Sequence, residues 1–186
     1  MASKYSVEKE LGRGAFGVVS LVRRKSDGAM LAQKSIKHQS AADRQQIMQE
    51  VNLLQRLQHA GIVRYEDAYV SPGQVHVLMA YLPGGSLAQY SKKNEPTSTF
   101  VQNTARGLLE ALEYVHASHI IHRDIKPDNV LLAADGRPVL ADFGVSRANL
   151  TARGASTVAG TPIFSALCGE GWCFRLTRPG RRRSGP

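Results

Sequence analysis

The sequence predicts an α+β fold in two lobes, and three observations carry that expectation. Short runs rich in apolar and β-branched residues crowd the first 82 positions around a single helical pattern. Pro83-Gly84-Gly85 then breaks the chain. A longer helical pattern follows, and after it come short strands and polar loops.

The first strands read at 5–11, 18–23 and 31–36. A glycine-rich turn joins the first two, and Lys25-Ser26-Asp27-Gly28 has the residues of a hairpin between the second and third. A helix is expected over 41–57, because Ile47, Val51, Leu54 and Leu57 recur at helical spacing and Ser40 can cap it. Two more strands are expected at 62–70 and 74–81, with Ser71-Pro72-Gly73 turning between them. Beyond the break, Phe100, Leu108, Leu112 and Val115 mark a helix over 100–116. Short strands follow at 120–121, 130–132 and 139–140.

Apolar residues make up 42% of the 186 positions, which suits one soluble domain with its own core. There is no leader-like apolar run, no run of membrane-spanning length, and position 2 is Ala2, not the glycine that myristoylation requires. The expected compartment is the cytoplasm or the nucleus, with no membrane contact. Of the net charge of +9, residues 167–186 supply +4 through five arginines against Glu170. No nucleic-acid recognition motif accompanies this charge, so no nucleic-acid partner is expected. Cys168 and Cys173 lie in the same tail, at a spacing poor for zinc and with no histidine nearby. They read as incidental thiols.

The chemistry-bearing motifs come in order. Glu10-Leu11-Gly12-Arg13-Gly14-Ala15-Phe16-Gly17-Val18-Val19 contains G-x-G-x-x-G-x-V. Glycines there let the backbone approach phosphate oxygens. A Rossmann turn would need a helix directly afterwards, whereas 18–23 reads as a strand. Lys34 follows on the third strand, and Glu50 lies on the next helix, where it would pair with Lys34 across the lobe. His122-Arg123-Asp124-Ile125-Lys126-Pro127-Asp128-Asn129 is a dense polar loop, and Asp142-Phe143-Gly144 comes thirteen residues later. Carboxylate and amide oxygens hold Mg²⁺, and a further carboxylate can take the proton of an attacking hydroxyl.

This ordered set resembles the eukaryotic-type Ser/Thr protein kinase family from residue 5 to about residue 166. Aminoglycoside-type phosphotransferases share the Asp-to-Asn spacing, but Lys126 and the full glycine loop favour the protein kinases. The resemblance implies a bilobal fold with a complete N-lobe, 5–82, made of an antiparallel sheet and the αC helix, with a hinge at 80–85. It implies an incomplete C-lobe, 86–166, holding the αE helix, the catalytic loop and the activation segment. The tail, 167–186, matches nothing in the family and is expected to be disordered.

By the same resemblance, Gly12, Gly14 and Gly17 cover the phosphates of ATP, and Lys34, paired with Glu50, contacts them. Asp124 orients and deprotonates the substrate hydroxyl, and Lys126 contacts the γ-phosphate. Asn129 and Asp142 hold Mg²⁺. Val19, Ala32 and Leu131 sandwich adenine, Met79 gates the back pocket, and Ala80 to Leu82 offer hinge backbone. Phe143, His122, Leu54 and Tyr65 form an apolar column between the lobes. Lys126 in this loop resembles Ser/Thr more than tyrosine kinases, so the implied partners are a protein Ser/Thr substrate and an upstream kinase acting on Thr157. Thr157 resembles the activating site of the MAP-kinase-kinase-kinase and NIMA-related groups. Thr151 and Ser156 lie in the same segment, and Arg123 is the natural partner of a phosphate there.

After Gly160-Thr161-Pro162-Ile163-Phe164-Ser165-Ala166 the chain reads Leu167-Cys168-Gly169, where the family has Pro-Glu. A frameshift, a retained intron or a gene-model error just after Ala166 is expected, a short isoform being the alternative. The truncated chain is expected to be a weak or inactive Ser/Thr kinase. The alternative function is a non-catalytic fragment that binds nucleotide or partner proteins.

Overall fold

The computed structural model describes residues 4–14, 17–143 and 147–148. Thr151, Ser156, Thr157, the Gly160-Thr161-Pro162 run, both cysteines and the tail 167–186 lie outside the described residues.

β1 (Tyr5–Gly14), β2 (Gly17–Arg24) and β3 (Met30–Lys37) form an antiparallel meander. β4 (Tyr65–Ser71) and β5 (Gln74–Ala80) complete one five-stranded sheet in the order β1-β2-β3-β5-β4. The β2–β3 turn closes as its residues demand. Gly28 takes φ 74°, and the Arg24 amide donates to Ala29 O at 2.8 Å.

The sheet curls until its two edges meet. On β1, the Tyr5 hydroxyl donates to Asp67 Oδ2 on β4 at 2.9 Å, and the rings of Tyr5 and Tyr69 stack 5.9 Å apart. Beneath them Val22, Leu31 and Leu78 form a small core on this face. Burial, with the hydrogen bond to Asp67 adding, pushes the Tyr5 phenol up to about 12.

α1 (Ala41–Leu54) packs against β4 and β5 on the opposite face, burying Val51 and Leu54. Its start is a reciprocal cap. Asp43 N donates to Ser40 Oγ at 3.0 Å, and Ser40 N donates to Asp43 Oδ2 at 3.1 Å. These bonds hold the Asp43 carboxyl below its ordinary range. The helix ends at Leu54, not at residue 57. Leu57 is buried all the same, in the turn beyond the helix, where its amide donates to Leu54 O at 3.1 Å.

The expected strand at 62–70 begins only at Tyr65, because Ile62 and Val63 pair elsewhere. Val63 N donates to Leu140 O at 2.9 Å, and Leu140 N donates to Gly61 O at 2.8 Å, fastening the first lobe to the second. Nearby, Gln58 N donates to the Tyr114 hydroxyl at 3.0 Å, and His59 stacks on that ring at 5.1 Å.

The chain crosses between lobes at 81–86. A Cβ on Gly84 would stand 2.5 Å from Leu132 O, so only glycine fits this approach. α2 (Leu87–Lys93) follows, an element the sequence reading omits. Ser86 and Gln89 form its capping box, a signal the sequence does carry. α3 (Ser98–Ala117) runs a little longer than expected and starts from the Thr97 cap, whose Oγ1 accepts from Phe100 N at 3.2 Å. Ala111 and Val115 are its fully buried side chains. β6 (Ile120–Ile121) pairs with β9 (Arg147–Ala148), and β7 (Val130–Leu132) pairs with β8 (Pro138–Leu140).

Candidate active site

Between the sheet and the β7–β8 hairpin lies a cleft of about 580 Å³, within the usual size of small-molecule sites. Its lining gathers residues far apart in sequence. Gly12 and Val19 come from β1 and β2, Ala32 and Lys34 from β3, and Glu50 from α1. Met79, Ala80 and Leu82 come from β5 and the crossing. Asn129, Leu131 and Asp142 form the floor. Val19 and Ala32 belong to the same apolar cluster as Leu131, so a flat ring could lie between them.

The three motif glycines are there for different reasons. Among the described residues, Gly12 and Gly14 have no atom within 4 Å of where a Cβ would stand. Gly17 has φ 135°, and a Cβ there would lie 2.0 Å from Ser35 O. Gly12 therefore leaves room for a ligand in the cleft, while Gly17 permits β2 to leave the turn against β3. Of the three, only Gly12 is part of the cleft wall.

The hinge backbone is partly engaged. Ala80 N donates to Arg64 O at 2.8 Å, so that amide is already taken within the fold.

Lys34 is nearly buried and forms an ion pair with Asp142. Glu50 lines the same cleft and accepts from Gln46 Nε2 at 3.4 Å. Asp142 holds φ 59° and Arg123 φ 69°, left-handed conformations that cost non-glycine residues energy. Such outliers cluster where a backbone has been bent for a purpose.

Asp124 and Lys126 sit beside the cleft floor rather than in its lining. Asp124 is 7% exposed, and its Oδ2 accepts from Lys126 Nζ at 2.6 Å and from Asn129 Nδ2 at 2.9 Å. Asn129 Nδ2 also donates to Asp124 O at 2.8 Å, closing the loop on itself. A 3-10 turn, Pro127–Asn129, brings Asn129 back toward Asp124.

His122 supports this loop from inside. It is fully buried, and its Nε2 stands 2.9 Å from Ala141 O, which can only accept. The proton therefore sits on Nε2, leaving Nδ1 to accept from Asp124 N at 3.3 Å. Burial pushes the imidazole below its ordinary value, so it is neutral near pH 7. Its ring meets Phe143 at 4.5 Å, and Phe143 shares a core with Leu54 and with Tyr65 packed against it. Burial, with the charge of Asp142 adding, raises the Tyr65 phenol far above its ordinary range.

The donor set suits Mg²⁺ and a polyphosphate. Asn129 and Asp142 both line the cleft and carry oxygen donors of the kind Mg²⁺ takes. Among the described residues no group of three or more His, Cys, Asp and Glu could hold a metal alone. Gln89 of α2 and Asp128 of the 3-10 turn also line the cleft, and the sequence reading did not anticipate them. Both sit on short elements whose approach to the cleft depends on the fold and not on a local pattern.

Residues 5–167 match the family described as the protein kinase domain. The chain is 34% identical to a probable serine/threonine-protein kinase nek2 of Dictyostelium discoideum, covering 87% of this chain and 41% of that protein. It is 35% identical to serine/threonine-protein kinase pak-1 of Caenorhabditis elegans, covering 88% of this chain and 29% of that protein. With human serine/threonine-protein kinase 10 the identity is 35%, over 87% of this chain and 17% of that protein. The chain thus spans less than half the length of each of these relatives.

Proposed function

Because this chain belongs to the protein kinase family, we propose that its cleft takes Mg-ATP and transfers the γ-phosphate to a protein Ser or Thr hydroxyl. The observation that carries this reading is the shared wall. Gly12, Lys34, Asn129 and Asp142 line one cleft, and the carboxylate of Asp124 is fixed beside its floor by Lys126 and Asn129.

In this reading Val19, Ala32 and Leu131 hold the base, and Lys34 holds the α- and β-phosphates. Glu50 positions Lys34, and Lys126 reaches the γ-phosphate. Magnesium held by Asn129 and Asp142 would neutralise phosphate charge. Asp124 orients the acceptor hydroxyl and takes its proton as the oxygen bonds to the γ-phosphorus. The bond from that phosphorus to the bridging oxygen breaks, and ADP leaves with the bridging oxygen.

An upstream kinase acting on Thr157 is part of the proposal. Arg123 is the residue of the loop suited to meet that phosphate. The cytoplasm or nucleus is the proposed compartment. Among the described residues no helix is long and apolar enough to cross a membrane.

Nucleotide binding and phosphate transfer measured on one preparation test the reading. Asp124→Asn is expected to remove transfer and leave nucleotide affinity within a few fold, whereas Lys34→Met and Asp142→Asn weaken binding itself. Undiminished transfer by Asp124→Asn would overturn the assignment. Binding without any transfer by the unaltered chain would favour a non-catalytic nucleotide-binding role.

A further inference from the structure

The turn between β2 and β3 gathers side chains that neither the cleft nor the core uses. Arg23-Arg24-Lys25 stands directly before Ser26. Arg24 ends β2, and Ser26 lies in the turn beyond it, exposed together with Lys25 and Asp27. No hydrogen bond engages the Ser26 hydroxyl among the described residues. No other serine or threonine of those residues follows three cations in a row. Ser40, by contrast, has its Oγ taken by the α1 cap.

Three positive side chains before an exposed hydroxyl suit an enzyme that reads its peptide substrate with carboxylates. Both arginines hold partners that they can leave. Arg23 Nε donates to Glu8 Oε1 at 3.0 Å, and Arg24 Nε donates to Asp27 Oδ1 at 3.0 Å. Surface pairs that water reaches hold weakly, so a cluster of carboxylates can take both guanidiniums. The backbone suits such a reader as well. Residues 23–24 are already extended in β2. Beyond them the turn is closed by Arg24 N to Ala29 O and by Gly28 N to Arg24 O, both at 2.8 Å. These bonds close the end of a hairpin, where local opening costs least.

Arg24 also reaches across the sheet. Its Nη1 stands 3.8 Å from Glu66 Oε2 on β4, next in sequence to the Asp67 that accepts from Tyr5. A phosphate on Ser26 would bring up to two negative charges beside Asp27 and would compete for Arg24.

We propose that Ser26 is a phosphorylation site for a separate Ser/Thr kinase, one that recognises the arginines three and two residues before the acceptor. The Ser26 oxygen bonds to the γ-phosphorus of ATP held by that kinase, whose own base takes the hydroxyl proton. The bond from phosphorus to the bridging oxygen breaks, and ADP leaves with that oxygen. The new phosphate pairs with Arg24 and Lys25 and draws Arg24 away from Glu66.

The test uses the full 186-residue chain, ATP and an arginine-directed Ser/Thr kinase. Arg181-Arg182-Arg183-Ser184 repeats the pattern in the tail, so the label is located by peptide mass mapping. Ser26 in the folded chain is expected to be labelled at a rate within roughly tenfold of that of a free peptide of residues 21–30. Ser26→Ala should lose that label alone. Arg23→Ala should slow labelling of Ser26 roughly tenfold or more. Glu8→Gln removes the same surface pair but keeps the arginine, and it should not slow labelling. Label on the free peptide but not on the folded chain would overturn the proposal. So would a rate that Arg23→Ala leaves unchanged, or equal slowing by Arg23→Ala and Glu8→Gln. Ser26 labelled with ATP alone, before any kinase is added, would overturn the assignment to a separate enzyme.

Discussion

Single residues divide the site's sequence signals into those made for a ligand and those made for the fold. Gly12 and Gly17 share one motif, yet only Gly17 is forced by contact, since a Cβ there would meet Ser35 O at 2.0 Å with φ at 135°. Gly17→Ala is therefore expected to cost about 1–3 kcal/mol in denaturant unfolding. Gly12→Ala should leave stability within about 0.5 kcal/mol and weaken nucleotide binding. His76 makes a second residue-scale prediction. Ser35 Oγ lies 2.9 Å from its Nδ1 and Ser71 Oγ 2.7 Å from its Nε2, and Tyr69 stacks on its ring at 4.6 Å. Burial holds this imidazole below its ordinary value of 6.5. The unfolded chain thus binds the proton more readily, so the contribution is complete above about pH 6.5 and is lost as pH falls through the folded value. Thermal melts at pH 7.5 and 5 should show a larger drop for the unaltered chain than for His76→Gln. An equal drop in both would assign the pH dependence to other groups.

Among the elements, α1 has a first turn that is exposed throughout, so its cap matters more than its packing there. Ser40→Ala removes the acceptor of the Asp43 amide and is expected to cost about 0.5–2 kcal/mol, read from the unfolding midpoint. Ser40→Asn should recover most of it. The same scale explains what could be read from sequence. The five strands of the sheet announce themselves by local composition and the two long helices by local periodicity, and the glycine loop, the 122–129 loop and Asp142-Phe143-Gly144 are contiguous motifs; Lys34, Glu50, Ala32, Met79 and Leu131 take their roles only from the resemblance those motifs carry. The end of α1 and the start of β4 could not be read this way. Ile62 and Val63 look like strand residues, but their partner is Leu140, nearly eighty positions away and with nothing local to mark it. α2 carried a readable Ser86–Gln89 box, but the glycines before it and the lysines after it masked so short an amphipathic pattern. Ala80 shows the same limit within the site, since its donor is taken by Arg64 through a pairing that only the fold creates.

At the scale of the whole molecule, the cleft is a joint between two regions that the chain completes at different times. The Tyr5–Asp67 contact and the core beneath it use nothing beyond Ala80. The ion pair of Lys34 with Asp142 joins positions 108 apart. During synthesis the sheet can close as soon as its fifth strand emerges, whereas the floor of the cleft follows roughly 60 residues later. At ribosomal speed that interval is about 3–12 s. Ribosome-bound chains halted between the two points should resist protease across the sheet and fail to retain a fluorescent nucleotide analogue. Retention should begin only once Asp142 has cleared the exit tunnel. For those seconds the growing chain would carry a closed sheet with no floor beneath it, and the apolar wall at Val19, Ala32 and Met79 would lack its partners Leu131, Val139 and Ala141.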